Sequence, residues 1–254
     1  MNSVINLAEW QAIRQEMQNN SIGFVHTMGH LHAGHLSLCC RSQQENEITV
    51  VAIFINPSQF NQSTDFINYP RTLAADKVLL LQQKIDYLLL LDKSAIYPDD
   101  YHIQVSETTE LSQALEGQFR PGHFNGMLTV VLKYLHIVKP TRSYYGEKDY
   151  QQLLLIQKMA QALFLETKII ACPTVRAEDG LALSSRNSRL TPEQRKKARF
   201  FPEILRKAQS QEATTKELTT FGFSVDYVAD YWGRRLGAVW LGEVRLIDNI
   251  DFQC

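Results

Sequence analysis

Two familiar ways of holding a phosphate are missing from this 254-residue chain: neither G-x-G-x-x-G nor G-x-x-x-x-G-K-[ST] occurs. Cysteine is scarce. The four present include the adjacent pair Cys39-Cys40 and form no C-x-x-C, which rules out a disulfide framework. An excess of basic residues is also lacking: 26 Lys and Arg stand against 27 Asp and Glu, a formal net charge of −1. Non-specific binding to nucleic acid needs a basic surface, so no nucleic-acid partner is expected. No apolar run is long enough to span a bilayer. The best one, 78–91, is interrupted by Gln82, Gln83, Lys84 and Asp86, so no membrane partner is expected either. The first residues, MNSVINLAEW, have neither the basic nor the apolar region of a signal peptide, and a cytoplasmic location is expected. Internal repeats and low-complexity tracts do not occur.

What the chain does have is ordinary globular composition, 44% apolar and 21% charged residues, with length enough for one large domain or two modest ones. Its organising stretch is GFVHTMGHLHAGHLSLCC at 23–40. A short apolar run from Ile22 to Val25 reads as a buried strand, Gly29 breaks it, and a helical pattern begins near His35. His32-Ala33-Gly34-His35 therefore lies at the mouth of a helix, where unpaired N–H groups and the positive dipole end suit phosphate. Gly34 lets a ligand approach the backbone closely. The dipole disfavours imidazolium, so both histidines are expected to be neutral N–H donors, able to steady a phosphate under attack. His26, His30, His32 and His35 together also admit a metal reading, although no Cys, Asp or Glu joins them.

The pattern continues as an α/β fold. Asn6 can cap a first helix carrying Leu7, Trp10, Ile13 and Met17 on one face. The continuous apolar run 48–55 reads as a strand covered on both faces. Strand, helix and strand make a βαβ unit whose first loop sits at the sheet edge where ligands bind. The next strand end carries Asn56-Pro57-Ser58-Gln59; turn chemistry explains Asn56-Pro57 well and Gln59 poorly. Residues 73–83 read as a helix and 86–91 as a buried strand, with Asp76 an exposed helical carboxylate rather than a magnesium-mediated phosphate contact. Arg120 reads as solvated. A helix over 125–138 leads to a strand at 143–145, the loop Gly146-Glu147-Lys148-Asp149 and a helix over 150–163 with Gln152 in its first turn. This second strand–loop–helix junction holds a phosphate-friendly lysine. A last strand is expected at 168–171. The polar segment 175–190, with Asp179-Gly180 and the flexible hydroxyl-rich loop Ser184-Ser185-Arg186-Asn187, reads both as a linker and as a wrap for polyphosphate. Thr191-Pro192 starts a helix expected to run to about Ser210. Beyond it come helices near 215–219 and 229–236 and strand-like runs at 225–227, 239–241 and 244–247.

Five motifs, in order, are T-M-G-x-L-H-x-G-H at 27–35, F-I-N-P-S-Q-F at 54–60, R-P-G-H-F-x-G at 120–126, G-E-K-D-Y-Q-Q at 146–152 and D-G-L-A-L-S-S-R-N at 179–187. Together they resemble the pantothenate synthetases, the pantoate–β-alanine ligases, and the likeness recurs at R-L-I-D-N, 245–249. H-x-G-H alone is shared by the wider nucleotidyltransferase superfamily. The resemblance implies a Rossmann-like parallel-sheet catalytic domain (1–174), a smaller C-terminal α+β lid (175–254) and a homodimer. It implies ATP as substrate with Mg²⁺. Pantoate's carboxylate would attack the α-phosphate to give pantoyl adenylate and pyrophosphate; the amine of β-alanine would then displace AMP.

Carried over by position, Met28, Gly29, His30, Leu31, His32, Ala33, Gly34 and His35 line the ATP site, His35 as proton donor and His32 on phosphate. Gly146, Glu147, Lys148 and Asp149 bind ATP, Lys148 steadying the pentavalent phosphorus. Val175, Leu183, Ser184, Ser185 and Arg186 close over the nucleotide, and closure protects the adenylate from water. Gln59 and Gln152 hold pantoate, with Gln59 also near β-alanine and Asn56 adjacent. The family usually has Pro before T-M-G where this chain has His26. The Ser184–Arg186 loop lacks the lysines of the related synthetase signature, so Lys148 and Arg186 carry the positive charge. Two alternatives stay open: another adenylyl-transferring enzyme of the superfamily, for which a phosphate acceptor would call for Arg or Lys at Gln59 and Gln152, and a catalytically inactive nucleotide-binding module.

Overall fold

The computed structural model describes residues 1–251, so the last three positions of the expected lid, Cys254 among them, lie outside the described residues. The chain divides into two compact units, Met1–Gly146 with Gln151–Cys172, and Glu147–Tyr150 with the residues from Pro173 onward.

The first unit runs β1 (Asn2–Val4), α1 (Leu7–Glu16), β2 (Ile22–Thr27), α2 (Ala33–Glu45), β3 (Ile48–Ile53), α3 (Leu73–Gln82), β4 (Tyr87–Leu89), α4 (His123–Val138), β5 (Arg142–Gly146), α5 (Tyr150–Ala162) and β6 (Lys168–Cys172). Its six strands lie in the order β1-β4-β3-β2-β5-β6, and every pairing is parallel. Parallel neighbours need helical crossovers, which cover both faces of the sheet and make the central strands apolar throughout. In β3, Val50, Val51 and Ala52 are all 0% exposed. The chain builds outward from β2 through β3 and β4, then returns to β2's other side with β5. That reversal creates a crevice at the carboxyl ends of β2 and β5, the usual ligand position in such sheets. The three-residue edge strand β1 has no counterpart in the sequence reading. It is too short to show alternation, and pairing Val4 with Leu89 creates it.

His26 belongs to β2 and pairs with Ala52, so the strand runs through it to Thr27. Its ring lies 4.6 Å from that of Tyr134 and 6.3 Å from that of Phe24. Burial among these rings pushes its pKa down to about 4, and the imidazole is neutral at physiological pH.

In the second unit an antiparallel sheet of β7 (Ser224–Tyr231), β8 (Arg234–Leu241) and β9 (Val244–Asp251) packs on α6 (Pro192–Ala198), α7 (Phe200–Leu205) and α8 (Gln211–Thr220). Phe201, Leu218 and Val239, each 0% exposed, tie sheet and helices into one core. Two expectations are corrected. The helix over 229–236 is instead a tight hairpin: Trp232 (φ +53°) and Gly233 (φ +76°) turn the chain, and Asp230 pairs with Arg235 across it at 2.8 Å. The long helix from Thr191 splits in two, because Pro202 lacks the N–H that would bond Ala198 and its ring crowds that carbonyl. Ser185–Arg189 form a 3₁₀ turn capped by Ser184, whose side chain accepts from Arg186 N at 3.2 Å.

Candidate active site

The two histidines of H-x-G-H cap their own helix. His32 is the N-cap of α2: its Nδ1 accepts from Gly34 N at 3.1 Å, while His35 Nδ1 accepts from His32 N at 3.3 Å. This is a reciprocal capping box built from imidazoles instead of hydroxyl and carboxyl groups. Because each Nδ1 receives a backbone N–H, the proton of each neutral ring sits on Nε2. The rings lie against each other, centroids 4.1 Å apart. Two Nε2–H donors thus stand at the amino end of a helix, beside the carboxyl end of β2.

The turn before them is bent by two successive positive φ values, Gly29 at +80° and His30 at +52°. Asp76, on α3, straps it: Oδ2 accepts from His30 N at 2.9 Å and Oδ1 from Leu31 N at 2.8 Å. The expectation of an exposed carboxylate is corrected, since Asp76 is 2% exposed and takes Thr72 Oγ1 on both oxygens besides. A Cβ on Gly29 would meet Asp76 Oδ2 at 3.1 Å, so the strap needs glycine as well as that φ. Asp76→Asn leaves one amide N–H facing a backbone N–H. A hydrogen bond to a charged group contributes roughly 1.5–3 kcal/mol, so this variant is expected to lose about that much stability in chemical denaturation. A wild-type denaturation midpoint would show that the strap contributes little.

Four histidines within ten positions go to three different surroundings. His26 enters the aromatic core, His30 Nδ1 meets Thr72 Oγ1 at 3.2 Å, and His32 packs on His35. Among the described residues no three His, Cys, Asp or Glu come together as a metal site.

The second strand end places Gln59 beside this loop. Its Nε2 lies 3.0 Å from Met28 Sδ, and its Oε1 accepts from Asn56 Nδ2 at 3.1 Å. Asn56 is 0% exposed and wholly engaged, giving its other N–H to Gly126 O at 3.1 Å and accepting from Ser58 and Tyr97 hydroxyls at 3.0 and 2.9 Å. Burial pushes the Tyr97 phenol up to about 12, so it stays a donor. An amide so occupied has nothing left for a ligand. Asn56 thus orients Gln59, holding its Oε1 while Gln59 Nε2 donates to Met28 Sδ. Helix α4 holds the same turn by its backbone. His123 Nδ1 donates to Gln59 O at 2.8 Å, and a Cβ on Gly126 would meet Ser58 O at 2.2 Å. Sequence reasoning missed this use of R-P-G-H-F-x-G, although the motif itself signalled it. Arg120, read as solvated, lies 3.0 Å from His123 Nε2 and pairs with Glu116 at 3.4 Å. Gln152 is half-buried in the first turn of α5, and among the described residues its amide has no hydrogen-bond partner.

In the second unit, Glu147–Asp149 form a 3₁₀ turn. Lys148 Nζ lies 3.7 Å from Asp149 Oδ2 with its side chain 17% exposed. Leu183 N donates to Val175 O at 3.0 Å, closing a turn that leads into Ser184–Arg186. Ser185 is buried, whereas Val175, Leu183, Ser184 and Arg186 are half-buried. The end of β9 joins the two segments. Asn249 bonds the carbonyls of Glu147 and Lys148, and Asp248 pairs with Arg176 through both oxygens, at 2.6 and 2.9 Å.

Comparison with known proteins gives the family. A family model described as pantoate-beta-alanine ligase matches residues 1–251. Pantothenate synthetase of Legionella pneumophila (strain Corby) is 51% identical over 245 residues, covering 96% of this chain and 97% of that protein. The Coxiella burnetii (strain Dugway 5J108-111) pantothenate synthetase is 52% identical over 246 residues, covering 97% and 95%. Among solved structures, the Francisella tularensis pantoate–β-alanine ligase complexed with β,γ-ATP and β-alanine superposes with a TM-score of 0.96 at 41% identity, covering 100% of this chain and 98% of that one. Pantothenate synthetase of Thermus thermophilus gives a TM-score of 0.92 at 38% identity and 99% coverage of both chains. By fold, motif order and similarity over its whole length, this chain belongs to the pantoate–β-alanine ligase family.

Proposed function

We propose that this chain is an ATP-dependent, AMP-forming ligase that condenses pantoate with β-alanine to pantothenate. A carboxylate attacked directly by an amine would have to expel oxide or hydroxide. Transfer of AMP from ATP to the pantoate carboxylate, with release of pyrophosphate, supplies a far better leaving group. The amine of β-alanine then attacks the acyl carbon and AMP departs. The observation that carries this reading is the imidazole capping box: two Nε2–H donors at a helix amino end, beside Gln59, whose Nε2 meets Met28 Sδ.

His35 donates to the phosphate as charge develops, His32 contacts phosphate, and Met28–His35 line the ATP site. Gln59 contacts pantoate and lies near β-alanine; Gln152, whose amide is uncommitted among the described residues, offers the second contact. Gly146–Asp149 bind ATP, Lys148 neutralising the pentavalent phosphorus. Val175 and Leu183–Arg186 complete the nucleotide contacts, with Arg186 as the second cation. Magnesium on a triphosphate is held mainly by phosphate oxygens and water, with one or two carboxylates. The residues present fit that arrangement: Asp149 keeps a 47% exposed side chain, whereas both Asp76 oxygens are taken. Bound there, Mg²⁺ would neutralise charge on the departing pyrophosphate. The chain is further proposed to act as a homodimer in the cytoplasm. A reducing compartment suits the free thiols of Cys39, Cys40 and Cys172, and no helix among the described residues is long and apolar enough to cross a membrane.

A coupled assay with pantoate, β-alanine and ATP, following AMP, tests the reading. AMP formation that requires both acids is expected. Tight ATP binding without product would favour an inactive nucleotide-binding module, and turnover only with another acid would favour a different adenylyl transferase. Within the same assay, Gln152→Ala is expected to raise the KM for pantoate by roughly tenfold, the cost of one hydrogen bond, with little change for ATP. Equal effects on the two substrates would remove Gln152 from the pantoate pocket.

A further inference from the structure

The motif R-L-I-D-N at 245–249 marks the likeness to the family, yet nothing in the substrate chemistry above uses it. Its last residue, Asn249, is 4% exposed on β9, an unusual place for an amide unless every polar atom is paired. All are. Nδ2 donates to Glu147 O at 2.8 Å and to Lys148 O at 3.0 Å, while Oδ1 accepts from Arg234 Nη1 at 2.8 Å. The partners fix which way round the amide lies, since two carbonyls can only accept and a guanidinium can only donate. Arg234 is itself pinned, giving Nη2 to Glu147 Oε2 at 2.8 Å and stacking 4.1 Å over the Tyr150 ring. The 3₁₀ turn carrying Lys148 is thus held through two consecutive carbonyls by the end of β9 and through the Glu147 side chain by the start of β8.

We infer that Asn249, braced by Arg234, is a positioning residue that aims Lys148 at the reacting phosphate. The inference rests on the role of Lys148 proposed above. A lysine amine on four rotatable bonds reaches one point reproducibly only if its backbone is fixed. Asn249 fixes it from the carbonyl side and touches no substrate itself.

Asn249→Asp tests this with little change in volume. The carboxylate still accepts from Arg234 but faces two carbonyl oxygens with no proton to offer. Pantoate-dependent pyrophosphate release is expected to fall in kcat by about tenfold, with pantoate KM held within about twofold. Combined with Lys148→Ala, the further loss from Asn249→Asp is expected to shrink to less than about twofold, because the two act through one ammonium group. Unchanged kcat in Asn249→Asp, or losses that multiply in full in the double variant, would overturn the inference while leaving Lys148 in place. Full activity of Lys148→Ala alone overturns the role of Lys148, and this inference with it. Should Asn249→Asp melt below the assay temperature, Arg234→Gln, which leaves Asn249 present, carries the same cycle with the same two outcomes.

Discussion

Replacing His35 by alanine is expected to slow pantoate-dependent pyrophosphate release by roughly 10²–10³-fold, the usual cost of one transition-state donor. The expectation follows from the capping box. With its Nδ1 occupied by His32 N at 3.3 Å, the ring has only Nε2–H to offer a developing charge. Two variants separate cap from donor. His35→Asn retains an acceptor near the Nδ1 position and loses the outer N–H, so it is expected to keep the helix start while losing activity like alanine. His35→Ala loses both and is expected to cost up to about 1 kcal/mol of stability as well. Stopped-flow measurement of pyrophosphate release alongside denaturation would resolve the two effects. Near-wild-type turnover in the asparagine variant would remove His35 from the chemistry and leave it a structural cap.

Lys148→Ala is expected to reduce the same step by a similar factor, roughly 10²–10³-fold, because a fixed cation acts most strongly on charge that appears in the transition state. Lys148→Arg keeps the charge but spreads it over a planar fork, and is expected to recover only part of the rate. The diagnostic quantity is the split between kcat and KM. A variant with raised KM for ATP and unchanged kcat would show that Lys148 binds ground state and transition state alike. That outcome would move the burden of charge stabilisation to Arg186. Lys148 Nζ rests 3.7 Å from Asp149, a partner it can exchange for phosphate.

The parts of the site legible in the sequence are those whose physics is local. A Gly break after an apolar run, a histidine at a helix start and a following β-branched run lie within about thirty positions. β2, α2 and β3 follow that order. The same holds for Gly146–Asp149 and its helix. What eluded local reading depends on partners far along the chain. Asp76 sits on a helix with ordinary apolar spacing, and only the fold brings it under the backbone of His30 and Leu31, some 46 positions away. Asn56 looks like turn chemistry and is indeed at a turn, but its burial comes from Tyr97 and Gly126. The region 229–236 reads as a helix because Ala229, Tyr231 and Leu236 give no strict alternation. The hairpin is set by Trp232-Gly233 and by the neighbouring strand β9.

Composition and short-range pattern were sufficient to specify an α/β chain with a parallel sheet, two loop-to-helix junctions and a set of imidazole, amide and cationic groups. Periodicity is a property of neighbours in sequence, and strand, helix and cap are decided among neighbours. Tertiary packing alone decided how other groups are used: Asp76 straps the His30–Leu31 turn, Asn56 is spent inside, and Asn249 grips the Lys148 turn. Hydrogen bonds between residues tens to hundreds of positions apart make those choices, and such partners exist only once the chain has folded.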